Sequence, residues 1–195
     1  MHMSYADRDL AAIKLLLSNR KVDRAMRVAI DGHSAAGKST LASYIQASFQ
    51  AVTIIPTDGF YRVMPQHERE LLSAADGYRK YYDWERLRDQ VLQPLSEGKD
   101  VLYRKYNWSR NELGDVVQAR NAGIILVDGC YSARPELRGY FDQVILVKAP
   151  HDRRMATQRA RGDAWEWVER WDAAERLYLE MHDPANAGAI VIGSN

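Results

Sequence analysis

The chain has 195 residues, of which 46% are hydrophobic and 27% are charged, a composition typical of one globular domain, residues 1–195, with a substantial core. With 27 basic and 26 acidic side chains the net charge is +1, so the charge balance predicts no nucleic-acid partner and no membrane partner. The single cysteine, Cys130, excludes an intrachain disulfide, and the lack of a signal-peptide pattern or a long apolar run predicts a cytoplasmic protein.

The first predicted element is an amphipathic helix over residues 5–20. Leu10, Ile13 and Leu17 recur there at helical spacing, with charged residues between them. We expect this helix to lie on the domain ahead of the first strand and to have a structural role.

A glycine-rich segment follows the short apolar run 28–30, which predicts a buried strand. Two glycines, with four residues between them, are followed by lysine and serine, as in a phosphate-binding loop that opens a helix, here predicted over 39–49. Backbone N–H groups of such a loop wrap a polyphosphate, the lysine reaches the β- and γ-phosphates, and the serine hydroxyl is a ligand of Mg²⁺. The segment therefore predicts ATP and Mg²⁺ as ligands, the alternative being a glycine-rich turn with an exposed lysine. Its residues are Gly32, His33, Ser34, Ala35, Ala36, Gly37, Lys38, Ser39 and Thr40.

A second predicted strand, residues 51–55, is followed by Asp58. An acidic residue just beyond the carboxyl end of a strand lies on the edge where open α/β sheets bind ligands. Asp58 is therefore a candidate site residue, although a carboxylate before Gly59 is also an ordinary turn residue. The nearby Tyr61 belongs either to the core or to the wall of a pocket.

An aromatic cluster around Tyr82 precedes a helix predicted from Trp84 to Leu95. Asp83 is a candidate substrate residue, and its alternative role is the N-cap of that helix. Pro94 predicts a bend or an early end. Residues 64–75, ahead of the cluster, are mixed and polar, which indicates a mobile helix or loop.

Residues of about 100–118 predict a β-hairpin inserted beside the main sheet. The stretch 100–108 alternates as a half-exposed strand does, and Val116 and Val117 are its predicted partner. The hairpin would carry Tyr106, Trp108 and Arg110 towards the phosphate loop. The alternative is a packed flap without ligand contacts.

The most apolar strand, residues 123–129, ends in Asp128. Its unbroken hydrophobic run indicates burial on both faces, as in a parallel sheet. A strand that ends in a carboxylate, in a protein with a phosphate loop, has the Walker B arrangement. Asp128 and Ser39 are therefore the predicted Mg²⁺ ligands.

An arginine-rich segment, residues 151–163, follows a strand predicted over 143–147. We interpret it as a lid that closes over ATP, because the segment offers few acidic partners and phosphoryl transfer uses arginines to neutralise charge. A solvated helix face is the alternative. A long amphipathic helix and a strand over 188–192 complete the chain. The candidate catalytic residues of the lid are Arg154, Arg159 and Arg161.

Five strand signals that alternate with helices predict an α/β fold, a doubly wound parallel five-stranded sheet with the hairpin insert and the arginine-rich lid. The order of the motifs resembles the uridine kinase and phosphoribulokinase family of P-loop kinases. The resemblance spans roughly residues 25–192 and is carried by the phosphate loop, Asp58-Gly59-Phe60-Tyr61, Tyr82-Asp83-Trp84, the strand with Tyr106, the strand end at Asp128 and the arginine segment.

This resemblance implies an ATP-dependent kinase in which Asp58 is the general base, while Lys38, Ser39 and Asp128 bind ATP and Mg²⁺. It also implies that Asp83 and Tyr106 hold the ribose and base of a nucleoside. The acceptor pocket would be formed by Asp58, Tyr61, Tyr82, Asp83, Tyr106 and Arg110.

The sequence departs from uridine kinases at three places. The residues directly after Trp108, Ser109-Arg110-Asn111, contain no histidine. An aspartate stands at position 128 where uridine kinases have glutamate, and the segment between Tyr61 and Asp83 is short. Three functions therefore stay open: a nucleoside kinase, a kinase for another small-molecule acceptor such as pantothenate, a sugar or a nucleoside monophosphate, and a nucleotide-binding regulatory module without turnover. The oligomeric state is also open, with a homo-oligomer among the alternatives.

Overall fold

A parallel sheet of five strands forms the centre of the structure, a computed structural model that describes residues 5–20 and 23–194. The strands are β1 (Met26–Asp31), β2 (Val52–Pro56), β3 (Val101–Asn107), β4 (Glu112–Ala119), β5 (Ile124–Asp128), β6 (Gln143–Lys148) and β7 (Ile190–Gly193). The order in the main sheet is β2-β5-β1-β6-β7, and all neighbours are parallel. The predicted doubly wound parallel sheet is confirmed.

Helices lie on both faces of this sheet. The predicted helix over residues 5–20 is α1, and residues 64–75 contain α3 and the beginning of α4. No helix of the two described ranges is long and apolar enough to cross a membrane. The helices are α1 (Asp7–Ser18), α2 (Lys38–Ser48), α3 (Gln66–Glu70), α4 (Ala74–Lys80), α5 (Trp84–Leu87), α6 (Gln93–Ser96), α7 (Pro135–Arg138), α8 (His151–Arg161) and α9 (Trp165–His182).

The core has two layers because the central strands are apolar on both faces. In β5, Ile124 and Leu126 pack in a layer with residues of α1 and α2. Ile125 and Val127 point to the other face and pack with the helical segment 84–96. Alternate side chains of a strand point to opposite faces, so an unbroken apolar run is what a sheet covered on both sides requires.

The helix that begins after Asp83 continues to Ser96 through a π-helical turn, Arg88–Leu92, between α5 and α6. Pro94 has no N–H group, and its ring would clash with the carbonyl group four residues earlier in a regular α-helix. The wider π turn directly before it accommodates the ring. The helix therefore passes Pro94 and buries Leu95 in the core.

The hairpin is formed by β3 and β4, which pair antiparallel as a separate two-stranded sheet. Its register shifts between Arg104 and Tyr106. Tyr103 stacks on Phe60 at 5.1 Å between ring centroids, and this contact holds the hairpin beside the end of β2. The predicted hairpin insert is confirmed, with a second strand that begins earlier than Val116.

The carboxyl ends of β1, β2, β5 and β6 meet at one edge of the sheet because these strands are parallel. The phosphate loop follows β1, Asp58 follows β2, Asp128 ends β5, and α8 follows β6. Local motifs that are far apart in sequence are thereby brought to the edge where such sheets bind ligands.

Gly32 allows the chain to leave β1. Its φ angle is +134°, and a Cβ atom at this position would overlap the carbonyl oxygen of Val147 in β6. A side chain here would therefore require both a strained backbone and a shift of the neighbouring strand.

We expect Gly32→Ala to lower the free energy of unfolding by at least about 2 kcal/mol, because it combines backbone strain with a steric overlap. Urea unfolding followed by circular dichroism measures this loss. Gly139→Ala is the matched control, since Gly139 has a helical φ of −63° and no atom would lie within 4 Å of its Cβ. An equally small loss of stability in both variants would contradict the conclusion that position 32 requires glycine.

Candidate functional site

A cleft of about 640 Å³ opens at the carboxyl edge of the sheet, between the phosphate loop, the loop after β2 and the end of α8. Among the predicted site residues, those that line it are Ser34, Ala35, Ala36, Gly37, Lys38, Ser39, Thr40, Asp58, Tyr82, Asp128 and Arg161. Those that lie outside its lining are Gly32, His33, Tyr61, Asp83, Tyr106, Arg110, Arg154 and Arg159.

The phosphate loop takes positive φ angles at Gly32, Ala35 and Gly37. Gly37 is the N-cap of α2, and no side chain caps the first turn of that helix. Unpaired N–H groups and the positive end of the helix dipole therefore face the cleft, which is the arrangement that binds phosphate. On its outer side, Tyr5 donates a hydrogen bond to the Gly37 carbonyl oxygen and Ser194 donates one to the Ala36 carbonyl oxygen, each at 2.6 Å.

Lys38 is folded over the loop. Its Nζ atom donates to the carbonyl oxygens of Gly32 at 2.9 Å and His33 at 2.7 Å, and it lies 3.4 Å from the Cys130 sulfur. Burial alone lowers the pKa of Lys38, but Cys130 and the nearby carboxylates, with Glu175 foremost, raise it above the ordinary value. Lys38 is therefore a charged ammonium group at neutral pH.

Ser39 and Asp128 form the predicted metal pair. Both side chains line the cleft, and burial raises the pKa of Asp128 against the lowering effects of Lys38 and of the Ser39 hydroxyl. The Oδ1 atom of Asp128 is buried without a hydrogen-bond partner. A hydroxyl and a buried carboxylate oxygen that lacks a partner are the ligands that Mg²⁺ prefers, so the residues fit the predicted ion.

Asp58 lies in a short 3₁₀ helix, Thr57–Phe60, directly after β2, and its side chain is exposed to the cleft. The Tyr82 hydroxyl donates to its Oδ1 atom at 3.1 Å. Burial, and next the Asp58 charge, raises the pKa of Tyr82 well above its ordinary value, so this phenol remains a hydrogen-bond donor.

Tyr61 and Tyr106 belong to an aromatic cluster behind the cleft and do not form its wall. Tyr61 is 1% exposed and its hydroxyl accepts a hydrogen bond from Trp171 at 3.0 Å, while Tyr106 is 6% exposed. Trp108 stacks on Tyr61 at 4.5 Å between ring centroids. Trp108 and Trp171 are the cluster members that reach the cleft, together with Tyr82.

Asp83 is an N-cap, as its alternative role predicted. Its carboxylate accepts from the Arg86 backbone N–H at 3.2 Å and lies 3.6 Å from the Arg62 guanidinium. Arg110 is exposed at the hairpin tip, 3.4 Å from Glu112. The structure therefore brings neither side chain to the cleft.

The three candidate arginines have different surroundings. Arg161 lines the cleft at the end of α8. Arg159 lies over the Trp165 ring at 4.2 Å. Arg154 is 4% exposed and donates to Asp172 of α9 at 2.8 Å, so this arginine is paired with a carboxylate. That partner lies 18 residues away in sequence, outside the segment itself.

The sequence matches no family model and no curated protein. Solved structures do match the fold. A possible uridine kinase from Bacillus stearothermophilus superposes with a TM-score of 0.74 and 21% identity, over 95% of this chain and 97% of that chain. A proposed fructose transport system kinase from Silicibacter sp. TM1040 superposes with a TM-score of 0.68 and 21% identity, over 88% of this chain and 92% of that chain.

The chain has the P-loop kinase fold. The resemblance to uridine kinases that the motifs predict is thereby confirmed as a likeness of fold. At 21% identity this likeness says nothing of the acceptor.

Two residues that support the phosphate loop are not predicted from the sequence. Asp31, at the end of β1, is fully buried and accepts hydrogen bonds from Gly32 N, Tyr131 N, Ala133 N and the Tyr178 hydroxyl. Burial raises the pKa of Asp31 against the opposing effect of these bonds. The carboxylate thus joins the phosphate loop, the loop after β5 and α9.

The second missed residue is Glu175 of α9, which is 4% exposed and bonds the phosphate loop. A signal for it exists in the sequence. Val168, Asp172, Glu175 and Tyr178 recur at helical spacing on the buried face of α9, so two carboxylates interrupt an otherwise apolar stripe. Burying a carboxylate costs free energy unless it has hydrogen-bonding or charged partners. Two carboxylates on the buried face of a helix therefore indicate that each has a specific partner.

We expect Asp31→Ala to lower the free energy of unfolding by on the order of 3 kcal/mol or more, because it leaves several buried donors without an acceptor. Urea unfolding measures the change. Tyr178→Phe removes a single donor and should cost about 1 kcal/mol. A loss in Asp31→Ala no larger than that in Tyr178→Phe would show that the carboxylate does not join these segments.

Proposed function

We propose that this protein is an ATP-dependent kinase that transfers the γ-phosphoryl group to a hydroxyl group of a small molecule. One observation carries the proposal: the phosphate loop, the Ser39 and Asp128 pair and the carboxylate of Asp58 line a single cleft. The P-loop kinase fold supports it.

At the phosphate end of the cleft, the loop amides and Lys38 would bind the β- and γ-phosphates of ATP. The loop amides are already held in place by the fold, so they need little reorganisation when charge develops during transfer. The carbonyl oxygens of Gly32 and His33 hold the Lys38 ammonium group beside the loop until phosphate oxygens replace them.

Ser39 and Asp128 are the residues that would hold Mg²⁺. The ion, when bound, neutralises part of the charge on the phosphates. Asp128 is held for this role at the end of a fully buried strand, where its side chain has little freedom.

At the acceptor end, Asp58 would act as the general base. An alcohol is a poor nucleophile, and a carboxylate within hydrogen-bond distance can orient it and accept its proton. As the acceptor oxygen bonds to the γ-phosphorus, the bond from that phosphorus to the β–γ bridging oxygen breaks and ADP leaves. Tyr82 donates to one Asp58 oxygen, which leaves the other oxygen for the acceptor.

A nucleoside such as uridine or cytidine is the first candidate acceptor. The resemblance to uridine kinases supports this choice, and the rings of Tyr82, Trp108 and Trp171 in the cleft suit a planar base.

A sugar or a similar polyol is the second candidate. Tyr106 and Asp83, which the resemblance assigns to the nucleoside, lie outside the cleft lining, and both already have partners in the protein. Of the residues predicted to bind the acceptor, Asp58 and Tyr82 line the cleft, and their oxygen atoms can hydrogen-bond hydroxyl groups.

The experiment that tests the function is ADP release with ATP, Mg²⁺ and a panel of nucleosides, nucleoside monophosphates, pantothenate and sugars. We expect acceptor-dependent ADP release, and we expect Asp58→Asn to lower kcat by about 100-fold or more with little change in ATP affinity. Lys38→Ala should weaken ATP binding while the fold is retained.

The outcomes separate the alternatives. Full activity in Asp58→Asn would remove the role of this residue as a base. ATP binding without ADP release for any acceptor would favour a regulatory nucleotide-binding module. Product from sugars and none from nucleosides would select the second candidate.

Arg161 and Arg159 provide a matched pair for the lid proposal, because they lie on the same helix and only Arg161 lines the cleft. We expect Arg161→Ala to lower kcat by on the order of 100-fold through lost stabilisation of the transferring phosphoryl group. Arg159→Ala should change kcat by less than about threefold, since it loses only an exposed cation–π contact. Equal kinetics for both variants and the parent protein would favour a solvated helix face.

A further inference from the structure

Glu175 of α9 contacts the phosphate loop at Ser34, although 141 residues separate the two in sequence. Its carboxylate accepts a hydrogen bond from Ser34 N at 2.8 Å and another from the Ser34 hydroxyl. The Cys130 thiol donates to the same carboxylate at 3.3 Å. Both carboxylate oxygens are thus occupied by groups that border the cleft.

Glu175 remains ionised in this position. Burial alone would raise the pKa of Glu175, but His33, Lys38 and the two bonds from Ser34 hold it below the ordinary value. The His33 ring also lies close to this carboxylate, with Nδ1 3.5 Å from Oε2. A buried negative charge is therefore hydrogen-bonded to the loop that would bind a triphosphate.

The same face of α9 also connects to the arginine-rich helix α8. Asp172, three residues before Glu175, lies 3.9 Å from His33 Nδ1 and accepts from Arg154 at 2.8 Å. One face of α9 thus bonds two segments: Asp172 accepts from Arg154 of α8, and Glu175 accepts from Ser34 of the phosphate loop.

This cluster is not a metal site. The ligand atoms of His33, Asp172 and Glu175 lie within 4.8 Å of one another. However, Arg154 already neutralises Asp172, and Ser34 occupies both oxygens of Glu175. The cluster therefore has the partners of a structural network.

We propose that Glu175 is a positioning residue of the nucleotide site: it fixes Ser34, and with it the phosphate loop, in the conformation that binds the triphosphate, and it joins that loop to α9. This inference rests on the proposed function, since it assigns a role in nucleotide binding.

The test is the Kd for Mg²⁺-ADP and Mg²⁺-ATP, measured by titration calorimetry on the parent protein and on Glu175→Gln. Glutamine keeps the shape, but it places an NH₂ group against one of the two Ser34 donors. We expect both Kd values to rise about tenfold or more, since a hydrogen bond to a charged group contributes roughly the free energy of a tenfold change in affinity. The KM for ATP should rise in parallel, with little change in the KM for the acceptor.

The matched control is Glu180→Gln, on the exposed side of the same helix. It should bind nucleotide as the parent does. Ser34→Ala removes one of the two donors to Glu175 and keeps the backbone N–H, so it should weaken nucleotide binding less than Glu175→Gln. The double variant should bind no more weakly than Glu175→Gln, because the two residues act through one contact.

The inference is overturned if folded Glu175→Gln binds nucleotide as tightly as the parent. If Glu175→Gln does not fold, the test is made with Ser34→Ala. An unchanged Kd for Mg²⁺-ADP and Mg²⁺-ATP in Ser34→Ala then overturns the inference. A parent protein that binds no nucleotide would contradict the proposed function itself, and the two failures are thereby distinguished.

Discussion

The carboxylate of Asp31 is the constraint on which the site depends. It is fully buried at the end of the central strand, where desolvation disfavours its charge, and it remains there because four donors converge on it. The donors come from the phosphate loop (Gly32), the loop after β5 (Tyr131 and Ala133) and α9 (Tyr178). One acceptor thereby fixes the relative positions of three segments that meet only in the folded chain.

The helix α9 extends this constraint to the whole cleft. Trp171, Glu175 and Tyr178 are spaced by four and three residues, so they lie along one helix face. Trp171 donates to Tyr61 at the acceptor end, Glu175 holds Ser34 in the phosphate loop, and Tyr178 donates to Asp31. A single rigid helix thus supports both ends of the cleft and sets the distance between them.

Most of the fold could be predicted from the sequence, and so could the phosphate end of the site. The phosphate loop is specified by nine consecutive residues, 32–40, and Asp128 by the apolar strand that it ends, so each motif carries its own structural context. The parallel sheet could be predicted as well, because few folds are compatible with apolar strands that alternate with amphipathic helices. The position of Asp58 at the cleft could also be predicted, because the residue after the carboxyl end of a parallel strand lies at the ligand-binding edge of the sheet.

The aromatic part of the cleft, with Tyr82, Trp108 and Trp171, was decided by tertiary structure. Tyr61 and Tyr106 have rings that suit either a core or a pocket wall. In the fold Tyr61 packs against Trp108 and Trp171, and Tyr106 packs against Trp108, so both rings lie behind the cleft. Arg154 had no acidic partner in its own segment and found one on α9. The sequence by itself determined the sheet, the phosphate loop and the carboxylates at strand ends, because these depend on local patterns. The direction of each aromatic and arginine side chain was left to contacts between distant segments, which no local pattern specifies.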